Sequence, residues 1–320
     1  MAMRCLALAV TLAGCAELGV VSDGTSISVG RPSGGYLVDG TRLPDDGEGF
    51  TTREVWRVRD NRYGTDELID LVVGVARRMH QQVPGVQIVV ADLSGRGGGE
   101  RYAFHRSHQS GRDADFLYYL RDASGQPFEP DAMHVFDGRG RARDGSGLTV
   151  DVPRTWLLVK ELITAPEAPV QWIFIYEPLA RRLIEHAAQI GEPEGLIARA
   201  RRTLKQPGDS ARHDDHMHVR VYCAPADRVY GCVDIGPMEL LAERQAEPPP
   251  VAALMSALTA APAPTSGDAP AAGGADGSAG GAVVGEGFSS GAAAAGMAAP
   301  ASLGRLLRAR ADHLSLRGWR

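Results

Sequence analysis

The sequence predicts an α+β domain in which helices flank a small central antiparallel sheet. Short segments typical of strands lie at residues 86–92, 113–120, 171–176 and 216–221. Helical patterns lie at residues 65–83, 154–164 and 178–190. Because these strands and helices do not alternate strictly, they favour α+β over a doubly wound parallel sheet.

The helices are predicted from apolar spacing and from the residues that begin and end them. In the first, Thr65-Asp66-Glu67 precedes apolar residues at helical spacing, and Pro84-Gly85 ends the pattern. The second contains a cluster of leucines and isoleucine at residues 157–163. The third begins at Pro178 and ends before Gly191. Each helix is therefore expected to cover one face of a core.

The segment at 216–221 has the clearest strand pattern. Its period-two alternation places His216, His218 and Arg220 on one face, while the apolar residues between them face a core. Two imidazoles are therefore expected to point into one cleft. The glycine-rich loop at 94–99 lacks the Gly-Lys-Ser/Thr ending of a phosphate-binding loop, so we interpret it as a connection.

We place the folded domain at residues 31–243 and expect an export signal before it. Residues 1–14 contain an apolar run that is too short to span a bilayer but is typical of such a signal. The run ends in Leu12-Ala13-Gly14-Cys15, which resembles the bacterial lipobox, so Cys15 is expected to carry lipid and residues 15–30 to form a tether. Ala16 gives no inner-membrane retention signal, which favours a periplasmic, outer-membrane lipoprotein. The alternative is an ordinary secretory signal cleaved nearby.

Two further segments follow the predicted domain. Residues 244–303 are rich in proline, alanine and glycine, which cannot bury enough apolar area to offset the entropy of ordering. We therefore predict a disordered tail. Residues 304–320 are basic, and two interpretations remain open: a short helix that contacts an anionic wall polymer or lipid, or an unstructured basic end.

Charge and cysteine content limit the partners and the compartment. The formal net charge is −5 and the basic residues are scattered, so nucleic acid is not an expected partner. Of the four cysteines, Cys5 leaves with the signal and Cys15 would carry lipid. Cys223 and Cys232 remain, in an oxidising compartment, and we predict a disulfide between them.

The histidines indicate a metal site. Five of the nine lie in two short windows, residues 104–115 and 212–220. Imidazole and carboxylate are the ligands of a catalytic zinc, which keeps an open position for water. Gly111 permits a tight turn between His108 and the strand that contains Asp115, so these two residues can converge. Asp113 shares the strand face and could instead be the ligand, or could fix a ligand imidazole.

Three neighbouring polar residues have open interpretations. Asp214 and Asp215 are interpreted as turn residues, although either could orient an imidazole. Arg220 could meet a substrate carboxylate or form an ion pair with Asp113.

These motifs resemble a known family. His108-x-x-Gly111-x-x-x-Asp115 with His216-x-His218 is similar to the paired motifs of the LAS metallopeptidases. Within that group the pattern is most similar to the penicillin-insensitive murein endopeptidases. The matching residues are Ser107-His108-Gln109-x-Gly111-x-Asp113-x-Asp115, His213-x-x-His216-Met217-His218-Val219-Arg220 and the Cys-Pro-Ala-type loop at 223–226. The resemblance covers roughly residues 29–234.

The resemblance implies a LAS-type fold and a set of roles. His108, Asp115 and His218 would bind Zn²⁺, His216 would be the general base, and His213 would assist catalysis. The implied reaction is hydrolysis of the D-Ala-meso-diaminopimelate cross-links of peptidoglycan without a penicillin-sensitive serine. The family also has an outer metal site, for which His105 matches one ligand. Asp131 and His134 are one choice for the others, and Asp144 is another.

Two other functions remain open from the sequence. One is a D,D-carboxypeptidase of the same fold. The other is a non-catalytic peptidoglycan-binding lipoprotein that keeps the metal for structure, although such a protein would not need an imidazole pair beside the metal.

Overall fold

The computed structural model describes residues 24–85, 87–101, 106–208 and 210–246. The chain divides into two units, Met1–Ala260 and Ala261–Arg320, and the described residues all belong to the first. The expected export signal, Cys15 and the C-terminal segments beyond residue 246 lie outside the described residues.

Helices and short strands are interspersed along the described chain. The helices are α1 (Glu54–Arg57), α2 (Asp66–Gln82), α3 (Val152–Thr164), α4 (Glu177–Gln189), α5 (Glu194–Thr203) and α6 (Glu239–Ala246), with a 3-10 turn at Asp227–Tyr230. The strands are β1 (Ile27–Arg31), β2 (Gly34–Val38), β3 (Thr41–Arg42), β4 (Asp46–Gly47), β5 (Phe50–Thr51), β6 (Tyr63–Gly64), β7 (Ile88–Val89), β8 (Asp113–Leu117), β9 (Leu120–Arg121), β10 (Pro127–Phe128), β11 (Thr149–Val150), β12 (Val170–Phe174), β13 (Leu204–Lys205) and β14 (His216–Val221).

The central sheet has four strands in the order β13-β12-β14-β8. β14 pairs antiparallel with β12 on one side and with β8 on the other, which agrees with the antiparallel sheet that the sequence predicts. The edge strand β13 differs, because it runs parallel to β12. α4 and α5 form the crossover between these two strands, and such a crossover returns the chain in the same direction. The α+β prediction is confirmed.

The helices predicted from apolar spacing are all present. α2 begins after Thr65, whose side chain accepts a hydrogen bond from the Leu68 backbone N–H, and α3 begins after Asp151, which caps Arg154 in the same way. α2, α3 and α4 bury one face each in the main core, together with the inner face of β14. This core fixes the sheet from behind and leaves the histidine face of β14 for the site.

Several predicted boundaries differ from the structure. The expected strand at 86–92 is reduced to β7, and the segment at 113–120 is divided into β8 and the start of β9. The tether was expected to reach residue 30, but residues 27–31 form β1. This strand is held to the domain because Ser28 N donates to Asp227 Oδ2 (2.9 Å) and Gly30 N donates to Gly231 O (3.0 Å). At the other end, α6 continues to residue 246, beyond the expected boundary at 243.

Within the described part of the chain, no helix has the length and apolar character that crossing a bilayer requires.

Candidate active site

Two neighbouring strands bring the predicted site residues together. The antiparallel register of β14 and β8 sets His218 opposite Asp115 and Arg220 opposite Asp113. Cross-strand partners point to the same face, so these four side chains share one surface of the sheet. His108 reaches the same surface from the loop before β8. One ligand atom from each of His108, Asp115 and His218 lies within 4.8 Å of the others, and all three residues are buried.

The backbone of His108 is held in an uncommon conformation. Its φ is 65°, in the left-handed region that residues other than glycine rarely adopt. Its backbone N donates to Asp113 Oδ2 (3.0 Å), and its carbonyl accepts a hydrogen bond from Ser94 Oγ (2.5 Å). Ser94 Oγ in turn accepts a hydrogen bond from the N–H of Gly111, whose φ of 77° confirms the expected tight turn. These bonds fix the direction in which the imidazole leaves the loop.

Asp115 lies at the centre of the histidines. Its Oδ1 is 3.3 Å from His108 Nε2, 3.4 Å from His218 Nδ1 and 3.5 Å from His216 Nε2. Both carboxylate oxygens are buried, yet neither accepts a hydrogen bond of good geometry from the described residues. A buried carboxylate without such bonds is costly unless a cation lies beside it. Two imidazoles and one carboxylate are also the donor set of a catalytic zinc site, so these residues fit a metal.

Asp113 supports the site from one side. Its Oδ1 lies 3.0 Å from His218 Nε2, and Arg220 Nε donates to the same oxygen at 2.6 Å. The sequence left open whether Asp113 is a ligand or fixes an imidazole, and the structure shows the contact with the imidazole. It also shows Arg220 in the ion pair with Asp113.

His216 is oriented by its neighbour in the chain. Its Nδ1 lies 2.6 Å from Asp215 Oδ1, which leaves Nε2 directed towards Asp115. Asp214 does not share this role, because the bond it forms is between its carbonyl and the N–H of Phe136 (2.8 Å). Of the two aspartates, Asp215 therefore orients the imidazole.

His213 completes the group of imidazoles. Its ring centroid is 5.2 Å from that of His216 and 5.7 Å from that of His218. These three histidines form a second trio whose nitrogens lie close enough to hold a metal. The carbonyl of His213 accepts hydrogen bonds from Tyr118 Oη (2.8 Å) and from the Tyr176 N–H (2.9 Å), so the backbone at this position is fixed from two sides.

Burial and charge give the imidazoles different affinities for a proton. For His108 burial opposes the charge, but the surrounding carboxylates, chiefly Asp115 and then Asp113, together raise the pKa to about 8. For His213 burial and the neighbouring histidines lower the pKa to about 3. Burial also lowers the pKa of His218, to about 4, despite Asp113. For His216 burial acts against Asp115 and Asp215, and the carboxylates raise its pKa.

The proposed outer metal residues are only partly described. His105 lies outside the described residues. His134 Nδ1 and Asp144 Oδ2 form an exposed pair at 2.5 Å, whereas Asp131 lies 3.4 Å from Arg53. His134 therefore contacts Asp144 and not the aspartate of the Asp-x-x-His spacing.

The predicted disulfide is confirmed. Cys223 and Cys232 are bonded, with a Cα–Cα distance of 6.0 Å. Cys223 N also donates to Asp234 Oδ1 (2.9 Å), and Arg112 Nη1 pairs with the same oxygen at 2.9 Å. The loop after β14 is thereby attached to the strand pair that carries the site.

Some residues of the site gave little signal in the sequence. Ser94, Tyr118 and Phe174 contact the histidines or their backbone, but each lies in a different segment. The only signal for Phe174 was its place in a predicted strand, and for Ser94 its place after one.

Comparisons with known proteins agree with this geometry. The family model described as penicillin-insensitive murein endopeptidase matches residues 28–240. The penicillin-insensitive murein endopeptidase of Klebsiella pneumoniae is 28% identical over 234 residues, which cover 71% of this chain and 73% of that protein. The Haemophilus influenzae enzyme of that name is 31% identical over 216 residues (65% and 67%), and an Escherichia coli one is 28% identical over 210 residues (64% and 69%).

The matched region begins in β1 and ends in α6, so it includes every residue of the two histidine windows that the structure describes. The arrangement expected from the sequence motifs, a buried carboxylate among imidazoles on one sheet face, is present in that region. On these grounds the chain belongs to the penicillin-insensitive murein endopeptidase family of peptidases.

Proposed function

We propose that the protein is a zinc-dependent murein D,D-endopeptidase that hydrolyses D-Ala-meso-diaminopimelate cross-links between peptidoglycan stem peptides. The observation that carries the proposal is the buried Asp115 carboxylate between His108 and His218, with His216 beside it. The names of the similar proteins support the substrate class. We further propose that the protein acts in the periplasm, attached to the outer membrane by lipid on Cys15.

In this proposal His108 Nε2, Asp115 and His218 Nδ1 hold the metal. When bound, zinc supplies Lewis-acid polarisation of the scissile carbonyl and lowers the pKa of water to about 7. Asp113 contributes by holding His218 Nε2, which leaves Nδ1 as the ligand atom. Three imidazoles can also hold a catalytic zinc, but a metal in the alternative trio of His213, His216 and His218 would use His216 as a ligand and not as a base. It would also not engage the buried Asp115 carboxylate, which has no hydrogen-bond partner among the described residues.

His216 is the proposed general base. Asp215 engages Nδ1, so the proton taken from water during attack would reside on Nε2, which faces the centre of the site. The same nitrogen can return that proton to the leaving amine. His213, with a pKa lowered to about 3 by burial, is neutral at physiological pH and would donate a neutral N–H to the developing oxyanion.

Insensitivity to β-lactams follows from this chemistry. The attacking group is water and no serine is acylated, so a β-lactam has no nucleophile to modify. Serine-type peptidase activity is therefore not expected.

The test is digestion of purified cross-linked muropeptide dimers, followed by mass spectrometry. Wild-type protein should release monomers, with or without penicillin, and His216→Ala should not. Loss of a terminal D-alanine without monomer release would indicate a D,D-carboxypeptidase. Absence of any cleavage by protein with bound zinc would indicate the non-catalytic wall-binding function.

The metal is tested separately. A chelator should abolish monomer release and stoichiometric zinc should restore it, whereas His108→Ala and Asp115→Ala should lose both zinc and activity. Zinc retained at full stoichiometry by either variant would contradict the ligand assignment.

Mass spectrometry of the mature N-terminus, with Cys15→Ala as the comparison, tests the lipid anchor.

A further inference from the structure

The sheet face that carries the candidate active site continues past the histidines. In the register, Phe174 of β12 pairs with His218 of β14 and with Lys205 of β13, and Trp172 pairs with Arg220. Paired residues point to one face, so these side chains extend the same surface towards the β13 edge. We call Phe174, Trp172 and Lys205 the β12–β13 strip.

The β12–β13 strip is a continuous series of contacts that begins at the metal site. The Phe174 ring lies 5.2 Å from the His218 ring and 6.0 Å from Trp172, on which it stacks at an interplanar angle of 28°. Lys205 Nζ lies 4.8 Å from the centre of the Trp172 ring.

Lys205 is an unusual residue in this protein. The chain contains two lysines, Lys160 and Lys205. Lys160 is paired with Glu192 at 2.8 Å, whereas Lys205 is exposed and forms no ion pair with any described residue. Arg220, whose guanidinium lies 5.1 Å from the centre of the Phe174 ring, is paired with Asp113 at 2.6 Å. The ammonium of Lys205 therefore remains available to an anion.

Trp172 is held in place by the backbone of the segment at residues 235–236. Its Nε1 donates to Ile235 O at 3.3 Å. A Cβ added at Gly236 would lie 2.6 Å from the same nitrogen, so the backbone approaches the indole closely. The ring is partly exposed although it is fixed in this way. A rigid, partly exposed aromatic beside a cation is suited to binding a ligand with both apolar and anionic parts.

We propose that the β12–β13 strip is a substrate subsite, in which Lys205 binds a free carboxylate of a stem peptide and the two aromatic rings pack against its aliphatic part. This inference rests on the proposed murein endopeptidase function. Diaminopimelate is a dicarboxylic acid with an aliphatic chain, so a stem peptide supplies both features. Lys205 and Trp172 act in positioning the substrate and do not take part in proton transfer.

A stem peptide fits the strip better than a bare sugar ring does. Stacking of a sugar requires an open aromatic face, whereas in this protein the ammonium of Lys205 lies above the Trp172 ring. The Lys205 ammonium is not paired with a carboxylate among the described residues. Its charge therefore favours a ligand that carries a carboxylate.

The first experiment separates binding from chemistry. With cross-linked dimers, Lys205→Gln should raise KM about tenfold and leave kcat nearly unchanged, which is the effect of losing one charge-assisted contact made equally in ground and transition states. Lys205→Arg should restore most of the affinity. Lys160→Gln, the matched lysine outside the strip, should leave KM unchanged. Equal KM values for wild type and Lys205→Gln would overturn the proposal.

The ligand chemistry is tested with dimers whose free carboxylates are amidated. Wild type should show about tenfold higher KM for the amidated dimers, and Lys205→Gln should not distinguish the two substrates. Discrimination that persists in Lys205→Gln would overturn the role of Lys205 as the carboxylate partner.

The last experiment does not depend on turnover. Full-length His216→Ala is acetylated with and without uncross-linked stem tetrapeptide, and modification of each lysine is measured by mass spectrometry. The peptide should reduce acetylation of Lys205 several-fold and leave Lys160 unaffected. Protection of Lys205, combined with no dimer cleavage by the wild type, would contradict the proposed function and support the subsite. Unprotected Lys205 in a protein whose wild type cleaves dimers would contradict the subsite alone.

Discussion

Oδ1 of Asp113 lies 3.0 Å from Nε2 of His218. This contact determines which nitrogen of the ring faces the histidine cluster, because Nδ1 then lies 3.4 Å from Asp115 Oδ1. The other carboxylate oxygen of Asp113, Oδ2, accepts a hydrogen bond from the backbone N–H of His108 at 3.0 Å. One carboxylate therefore orients two of the three proposed ligands without being a ligand itself.

Asp113→Asn should weaken zinc binding about 10- to 100-fold, since partners behind a metal ligand typically have effects of this size. The amide is similar in shape but lacks the charge that holds Arg220 and His218. Competition with a chromogenic chelator measures the affinity. Asp122→Asn, a change in an exposed turn, is the control, and thermal unfolding checks that the variant is folded. Zinc affinity equal to that of the wild type would rule out this role for Asp113.

Asp215→Asn should lower kcat roughly tenfold with little change in KM, because the variant loses the carboxylate that orients His216 at 2.6 Å. Asp214→Asn is the matched control, since among the described residues it is the Asp214 carbonyl, and not its side chain, that accepts a hydrogen bond. Comparable losses of kcat in the two variants would indicate a general effect on this turn.

The pH profile gives an independent measurement on the same variant. Burial lowers the pKa of His216, and Asp115 and Asp215 raise it by a larger amount. A general base must be neutral, so activity is lost as pH falls through this pKa. Removing the Asp215 charge lowers the pKa, and the acidic limb of the kcat profile should move to lower pH. A limb that stays in place would mean that another group limits the rate.

Tyr118→Phe should destabilise the protein by about 1 kcal/mol and lower kcat, because its hydroxyl donates to the His213 carbonyl at 2.8 Å. Tyr119→Phe is a close control. Its hydroxyl is also buried but has no hydrogen-bond partner among the described residues, so its removal should cost little. Urea unfolding and steady-state kinetics are measured for both variants. Equal losses of stability and kcat in the two would contradict a specific role for the Tyr118 hydroxyl.

The site was more predictable from sequence than the sheet that carries it. His216 and His218 lie on one strand face because of a period-two pattern that is local, and Gly111 indicated the turn after His108. Neither α5 nor the parallel edge strand β13 that follows it was predicted. α5 has few strongly apolar positions, and β13 has only two residues, so neither segment shows a clear periodic pattern. Contacts such as the one between Tyr118 and His213 join residues far apart in the chain, and no local pattern encodes them.

Replacing both Cys223 and Cys232 by serine should destabilise the domain by about 2–3 kcal/mol, since the bond closes a short loop of sequence separation 9. The same change should reduce substrate affinity, because the segment after Cys232 supplies the Ile235 carbonyl that holds Trp172. Urea unfolding with and without a reducing agent measures the first effect. The reductant should lower the stability of the wild type towards that of the double variant and leave the variant unchanged. A KM unaffected in the double variant would show that the Trp172 contact persists without the disulfide.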